Sequence, residues 1–376
     1  MSIRIPPADR SWTIRRTLCF DSAGHAFRRR DVEITGARIS AVLPPGTSTL
    51  ADGIDGTALV CTPGVVGVEP RRGGPVAAAD LPACVTTLGH HCANLLDLPA
   101  RAAASAARVV ALLHFDDKYL EQINGFLDWA ASPLRRDLAA HAERRVTVLP
   151  VLSSGNLLSA SEIVEFARFA KLMGTRFGVR LASNADESQA FRSRFYCSES
   201  ALTAYLLPQE KQLTLFGAAR TDRRDVASLA RIHGAVSIEL TDASSPAALW
   251  RSHAPLLRQR RAALHVRADL AAAVLARVAA HAPPDRVDFY VDALTRSAAA
   301  SLGLADVGVL APGMKADLCA FDADRGDDYD AGSTTLLSLL ATRRPAFTLV
   351  GGRAVREREP APEATPDTRE LAAAGG

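Results

Sequence analysis

The stretch Thr62-Pro63-Gly64-Val65-Val66-Gly67-Val68-Glu69-Pro70-Arg71 decides how this chain is read. A Pro-Gly turn opens it, a short apolar run follows, and charge returns where the run ends. Such a run, bounded by turn residues, marks a strand buried on both faces, the habit of a parallel sheet. In a barrel of parallel strands the functional groups gather where the strands end, which puts Glu69 and Arg71 at the candidate site.

Downstream, strand-like and helix-like stretches alternate. Apolar β-type runs occur at Val85–Leu88, Arg108–Leu113, Val146–Leu152, Phe177–Ala182, Leu213–Phe216, Ala235–Leu240 and Ala262–Val266. Between them lie helical stretches at Ala100–Ala107, Asp117–Glu143 (interrupted at Pro133), Ser161–Met173, Glu187–Leu207, Asp222–His233 and Leu270–Ala280, with a last one at Val291–Leu302. Up to eight β/α steps fit this order, so the fold class is α/β, a (β/α)8-type TIM barrel. At this length an incomplete barrel is also open.

Both ends of the chain read differently. Thr17–Phe20 precedes the turn residues Asp21–Gly24. Asp31–Ile34 and Gly36–Val42 form a hairpin whose alternation turns Val32, Ile34, Ile39 and Val42 to a core. Near the other end, Gly308–Asp322 contains a tight Pro312-Gly313 turn, then Asp317, expected to bond local backbone, and a buried strand at Leu318–Phe321. A further strand, Ala346–Val350, closes on Gly351-Gly352. These two ends are expected to build one small β-sandwich domain, residues 1–60 with 304–356, around a barrel at 61–303. A tail at 357–376, rich in Pro, Ala, Glu and Thr, is expected to be disordered.

The Pro63-Gly64 opening, Gly36-Ala37-Arg38-Ile39 and above all the Gly308–Asp322 phrase resemble the amidohydrolase superfamily, in its chlorohydrolase and deaminase branch. The resemblance implies a metal-dependent hydrolase acting on non-peptide C–N bonds, and it assigns slots to the metal ligands. Its His-x-His pair falls on Glu69 and Arg71. The next His slot holds Arg180, and the catalytic glutamate slot holds Ser183. A later His slot falls at Gly217, with a second near Arg220, and the final aspartate slot falls best on Asp269. An arginine stays protonated and does not ligate a metal, and two of them add fixed positive charge where a dication would sit. The slots therefore describe a degenerate member: a metal-free pseudoenzyme acting as scaffold, regulatory partner or ligand binder. Arg71, Arg180 and Ser183 become candidate ligand-binding residues, either in ion pairs with Asp269 or Glu69 that plug the old site, or holding an anionic ligand.

A rebuilt enzyme site is the alternative. His90-His91 and His114-Phe115-Asp116 end adjacent strands on the active-site face. With Glu69 and Asp269, the histidines His90, His91 and His114 are candidate catalytic groups, working as a general base or around one relocated divalent metal such as zinc. No His-x-His occurs, and His90 and His91, being adjacent, face opposite ways on a strand. Ser153–Asn156 reads as a loop. His25, His141, His233 and His281 sit in turns or polar helices; His253 and His265 lie nearer the barrel top without an evident partner.

Composition bounds the rest. The 376 residues are 48% hydrophobic and 23% charged with a net charge of +3, so neither nucleic acid nor a membrane surface is an expected partner. The six cysteines are scattered, without a CxxC pair, and are expected to be reduced and buried. No run approaches the ~18 apolar residues of a membrane span, and no signal-peptide pattern opens the chain. The expectation is a cytoplasmic protein, a homo-oligomer or a hetero-oligomer with an active amidohydrolase, with a small-molecule ligand and no resident cofactor.

Overall fold

A computed structural model describes residues 5–70, 81–92, 98–115, 145–153, 159–172, 174–181, 185–324, 326 and 328–357. Arg71, Asp116, Ser183, the helical stretch expected over 117–143, most of the Ser153–Asn156 loop and the tail from 358 lie outside these residues.

The N-terminal segment forms β1 (Ser11–Asp21), β2 (Ala26–Thr35), β3 (Arg38–Leu43), β4 (Gly53–Asp55) and β5 (Leu59–Pro63). β2 and β3 make the expected hairpin, and Gly36 at its turn takes a φ of 58°, open to a glycine at little cost. Val32, Ile34 and Ile39 are fully buried, and Val42 packs against the same core. The C-terminal segment adds β14 (Leu318–Asp322), β15 (Phe347–Val350) and β16 (Arg353–Glu357), so that one mixed sheet runs β16-β15-β14-β5-β1-β2-β3, with β4 paired to β1. The Pro312-Gly313 turn pairs with β3: Gly313 N–H donates to Ile39 O at 2.8 Å, and Ile39 N–H to Met314 O at 2.9 Å.

The barrel follows directly. Its strands are β6 (Val65–Val68), β7 (Val85–Cys92), β8 (Arg108–Phe115), β9 (Val146–Ser153), β10 (Phe177–Arg180), β11 (Leu213–Phe216), β12 (Ala235–Leu240) and β13 (Ala262–Arg267). They close into a complete eight-stranded barrel, all parallel, with β13 joined back to β6. Around it lie α1 (Leu98–Ala104), α2 (Ala160–Leu172), α3 (Ala185–Phe195), α4 (Glu199–Leu206), α5 (Arg223–Leu229), α6 (Pro246–Arg258), α7 (Ala271–His281), α8 (Val287–Leu294), α9 (Arg296–Ser301) and α10 (Ser333–Thr342).

Three helical readings change. The stretch expected as one helix over 187–207 is α3 and α4. Tyr196 breaks it at φ 58°, and Ser198 caps the restart through the Ala201 N–H. The helix read over 291–302 divides between α8 and α9, with Thr295 out of helical geometry between them. Helix α6, which the strand pattern passes over, starts at cap Ser245 with Pro246 in its first turn, and buries Trp250, Leu256 and Leu257.

Strand parity fixes the inside of the barrel. Val66, Val68, Val110, Leu112, Leu149, Val151, Phe216 and Ala263 form one buried cluster with Ala298, Ala299 and Leu302 of the α9 segment. That segment plugs the end where the strands begin, and Thr214 Oγ1 there donates to Ser301 O at 2.6 Å. The opposite end carries the site.

The sheet and the barrel are locked together. Only Gly64 separates β5 from β6, and a Cβ at this position would lie 2.2 Å from the Thr86 side chain. Arg108, at the start of β8, reaches Asp317 before β14 with Nε–Oδ2 at 2.8 Å and Nη2–Oδ1 at 2.9 Å, both side chains essentially without solvent exposure. Asp317 also accepts the Gly351 N–H at 2.6 Å. The expectation that Asp317 bonds local backbone is thereby corrected: its main partner is a barrel arginine. A second tie joins His25, at the β1–β2 turn, to Asp292 of α8, which also pairs with Arg260 and Arg296. Five of the six cysteines are buried and all six are free thiols; burial pushes Cys61 and Cys84 up to about 12. Among the described residues no helix is long and apolar enough to cross a membrane.

Candidate functional site

A cavity of about 270 Å³ opens at the C-terminal ends of the barrel strands. Each strand contributes by alternation: Val68 from β6, His91 from β7, Leu112 and His114 from β8, Val151 from β9, Arg180 from β10, Phe216 from β11, Ser237 and Glu239 from β12, and His265 from β13. The floor is apolar and the wall polar, the usual division in a small-molecule site.

His91 and His114 stand side by side, with His91 Nδ1 and His114 Nε2 at 2.7 Å and the rings tilted by 33°. His114 Nδ1 lies 3.1 Å from Ser153 Oγ. Two proton arrangements satisfy this row. Either Ser153 donates to His114, which donates to His91, or His91 donates to His114, which donates to Ser153.

His90 faces the other way, as the strand alternation requires, and its Nδ1 bonds to the Glu69 carboxylate. Glu69 is only 2% exposed, and its backbone N–H donates to Gly89 O at 2.9 Å. Val66 and Val68 take the inward parity of β6, which leaves Glu69 on the outward one, and neither Glu69 nor His90 lines the cavity. Four of the five groups read as one candidate catalytic set are thus two separate pairs, one inside the cavity and one beside it. Asp269 is also set apart: it lies in a short 3-10 turn after β13 and holds Arg267, Nε to Oδ1 at 2.8 Å. At the Gly217 slot the backbone takes φ 84°, and a Cβ would lie 3.3 Å from Leu181 O; the position serves a turn rather than a ligand.

Ser237, Glu239 and Thr241 are polar lining residues that the sequence reading did not single out. The signal was present: Ser237 and Glu239 are polar at alternate positions of an otherwise apolar run. Glu239 makes no hydrogen bond among the described residues. Burial raises its carboxyl above the usual glutamate value; Arg267 and Arg180 act against this, and Asp269 adds to it. His265 is the opposite case. Its Nε2–H points to Ala298 O at 3.2 Å and Ser301 Oγ at 3.1 Å, so Nδ1 accepts from Ser237 Oγ at 2.8 Å. Burial lowers it to about 4, so this imidazole is neutral at pH 7. His253 is likewise engaged, by Thr221 and Ala218 O, away from the cavity.

These residues do not fit the metal clamp that the resemblance implies. Among the described residues no three His, Cys, Asp or Glu side chains converge as a ligand set. The cavity wall carries the Arg180 guanidinium, Glu69 is engaged by His90, and both ring nitrogens of His265 are spent on the protein.

No protein-family model matches the sequence, and no curated protein sequence matches it. Solved structures do. A triazine hydrolase from Arthrobacter aurescens superposes with a TM-score of 0.69 at 15% identity, covering 97% of this chain and 98% of the other. A zinc-bound adenosine deaminase from Xanthomonas campestris gives 0.68 at 14% identity over 98% and 97%. The aminofutalosine deaminase of Helicobacter pylori gives 0.67 at 12% identity over 92% and 100%. What the chain shares with these proteins is their fold, which in this chain is an eight-stranded parallel barrel with an added β-sheet.

Proposed function

We propose that this chain is a metal-free protein of the amidohydrolase superfamily that binds a small anionic molecule in its barrel-mouth cavity. One observation carries the reading: the wall that faces the cavity presents Arg180 and the His91–His114 pair, while the carboxylates of the old ligand slots, Glu69 and Asp269, are engaged elsewhere. A guanidinium over an apolar floor of Val68, Leu112 and Val151 suits a carboxylate on an apolar body. As a binder it would act on its own or as the regulatory partner of an active relative. Quantifying zinc, iron and manganese in the purified protein tests the metal-free part; the expected content is far below one ion per chain, and one tightly held ion per chain overturns it. Calorimetric titration with benzoate tests the rest: binding by the native protein is expected, with loss in Arg180→Met.

A second reading rests on the hydrogen-bonded row Ser153–His114–His91, which under that reading would carry a proton into the cavity. Under it the chain is a hydrolase or deaminase acting on non-peptide C–N bonds with a rebuilt site. Turnover on a panel of cyclic amides and aminated heterocycles, abolished in His114→Ala, is the result that would favour it.

A further inference from the structure

Helices α3 and α4 are patterned the wrong way round for helices that only cover a barrel. A covering helix turns its apolar stripe inward and its polar residues to solvent. On α3, Ala185, Ser188, Gln189 and Arg192 stand at helical spacing and line a second cavity, of about 300 Å³. Helix α4 buries Ser200 and Thr203 and leaves Tyr205 exposed. A polar stripe turned inward is costly unless its hydrogen bonds are filled. Here they are not. Ser200 lines the cavity and is 3% exposed, yet its hydroxyl makes no hydrogen bond among the described residues. The side chains of Ser188 and Gln189 make none there either.

The charged groups on the same wall are spaced for an intervening hydroxyl. Arg192 stands 3.5 Å from one oxygen of Asp225 and 3.8 Å from Asp222, at and beyond the outer limit of a direct bond, while Ser198 donates to the other oxygen of Asp225. A ligand hydroxyl between them donates to a carboxylate and accepts from the guanidinium. An aromatic surface lies next to these groups. A hollow of about 400 Å³ adjoins the first, sharing Arg192, Ser198, Asp222 and Asp225, and Tyr196 lines it. Tyr196 is 93% exposed and sits at φ 58°, the left-handed region that a tyrosine enters only at a cost. A strained residue that gives its ring to water adds little to packing. It does set a flat apolar face beside a row of hydroxyl-binding groups.

We propose that α3, α4 and the start of α5 form a second binding site, for a neutral polyhydroxylated ligand of the sugar class. Its hydroxyls would bond Ser200, Arg192 and Asp225, and a ring face would lie against Tyr196. Asp222 and Asp225 on the wall oppose an anion, so this cavity and the barrel mouth take ligands of different charge. Gly217 is the one described lining residue common to both cavities, which places the two sites side by side at the same end of the barrel. The sugar site does not depend on the anion-binding reading, and neither stands or falls with the other.

The test is saturation-transfer NMR on the whole native chain with glucose, ribose, maltose and glucuronate. Transfer to at least one of the neutral sugars is expected, with little to glucuronate. Ser200→Ala removes one hydrogen bond and should weaken the sugar that binds by roughly tenfold. Tyr196→Gly separates binding from folding. Glycine takes φ 58° freely, so the denaturant midpoint of this variant should hold or rise while sugar binding falls. Absence of transfer to every neutral sugar in the native protein overturns the site, whatever the variants do. Glucuronate binding as tightly as glucose overturns the neutral-ligand assignment. Native-like sugar binding by Tyr196→Gly, or a lowered midpoint in that variant, overturns the role given to the ring.

Discussion

Two regions of this molecule enclose charge, and they treat it in opposite ways. At the seam between sheet and barrel, the Arg108–Asp317 pair is doubly hydrogen-bonded and sealed, and Asp317 takes a third bond from Gly351. At the barrel mouth, Glu239 lines the same cavity as Arg180 and makes no hydrogen bond among the described residues. The first arrangement compensates the desolvation of both ions and tolerates no exchange of partners. The second leaves its carboxyl without a donor among the described residues, at the wall of a cavity that solvent or a ligand can enter. Complete satisfaction marks the part of the molecule that holds the fold; incomplete satisfaction marks the part that can respond.

This contrast can be broken by mutation. The largest effect belongs to the seam. Asp317→Ala strands a buried guanidinium and is expected to cost ~3–5 kcal/mol by denaturant unfolding. The double replacement Arg108→Met with Asp317→Leu should recover much of that loss; if it does not, the pair does more than satisfy itself. Next is His265, whose lowering from 6.5 to about 4 corresponds to ~3 kcal/mol. Folding favours its neutral form, so this stabilisation is complete above pH 6.5 and is lost as pH falls toward about 4. His265→Asn, measured over the same range, should flatten that acid slope. Glu239→Gln has the opposite sign. Because the native carboxyl is raised, the variant should be the more stable protein at neutral pH, and the gap should close below the ordinary glutamate range, where both carry a neutral side chain. Asp269→Asn removes a part-exposed pair with Arg267 and should change stability by ~1 kcal/mol or less. A larger loss there would place Asp269 inside the responsive region.

Much of the frame was legible in the residues. All eight barrel strands lie where apolar runs occur, and the β2–β3 hairpin turns the residues inward that its alternation demands. The opposite facing of His90 and His91 also followed from strand geometry. The site was harder to read. Val65 to Val68 is apolar on both faces, so sequence alone assigns no inward parity, and a register irregularity between Val65 and Val66 alters the count further. Glu69 was therefore read as facing the site, whereas it meets His90. Asp317 has a partner 209 positions away, which no local pattern announces. Glu239 lies outside every slot the resemblance assigns, and its only local mark is the polar alternation it shares with Ser237. Helix α6 is hard to read because Pro255, ordinarily a helix breaker, lies among its buried residues Trp250, His253, Leu256 and Leu257.

Strand β5 has one more consequence, in the time course of synthesis. It lies mid-sheet, between β1 and β14, with Cys61 paired to Ala320. One edge of β5 is satisfied early, by β1, which is already made. The other waits for a strand some 260 residues later, which at ribosomal rates of about 5–20 residues per second means roughly 13–50 s. During that interval an apolar strand with an open edge, continuous with the first strand of the barrel, is available to any other extended chain. The nascent protein is thus most exposed to mispairing at the same place that later binds its two ends into one body.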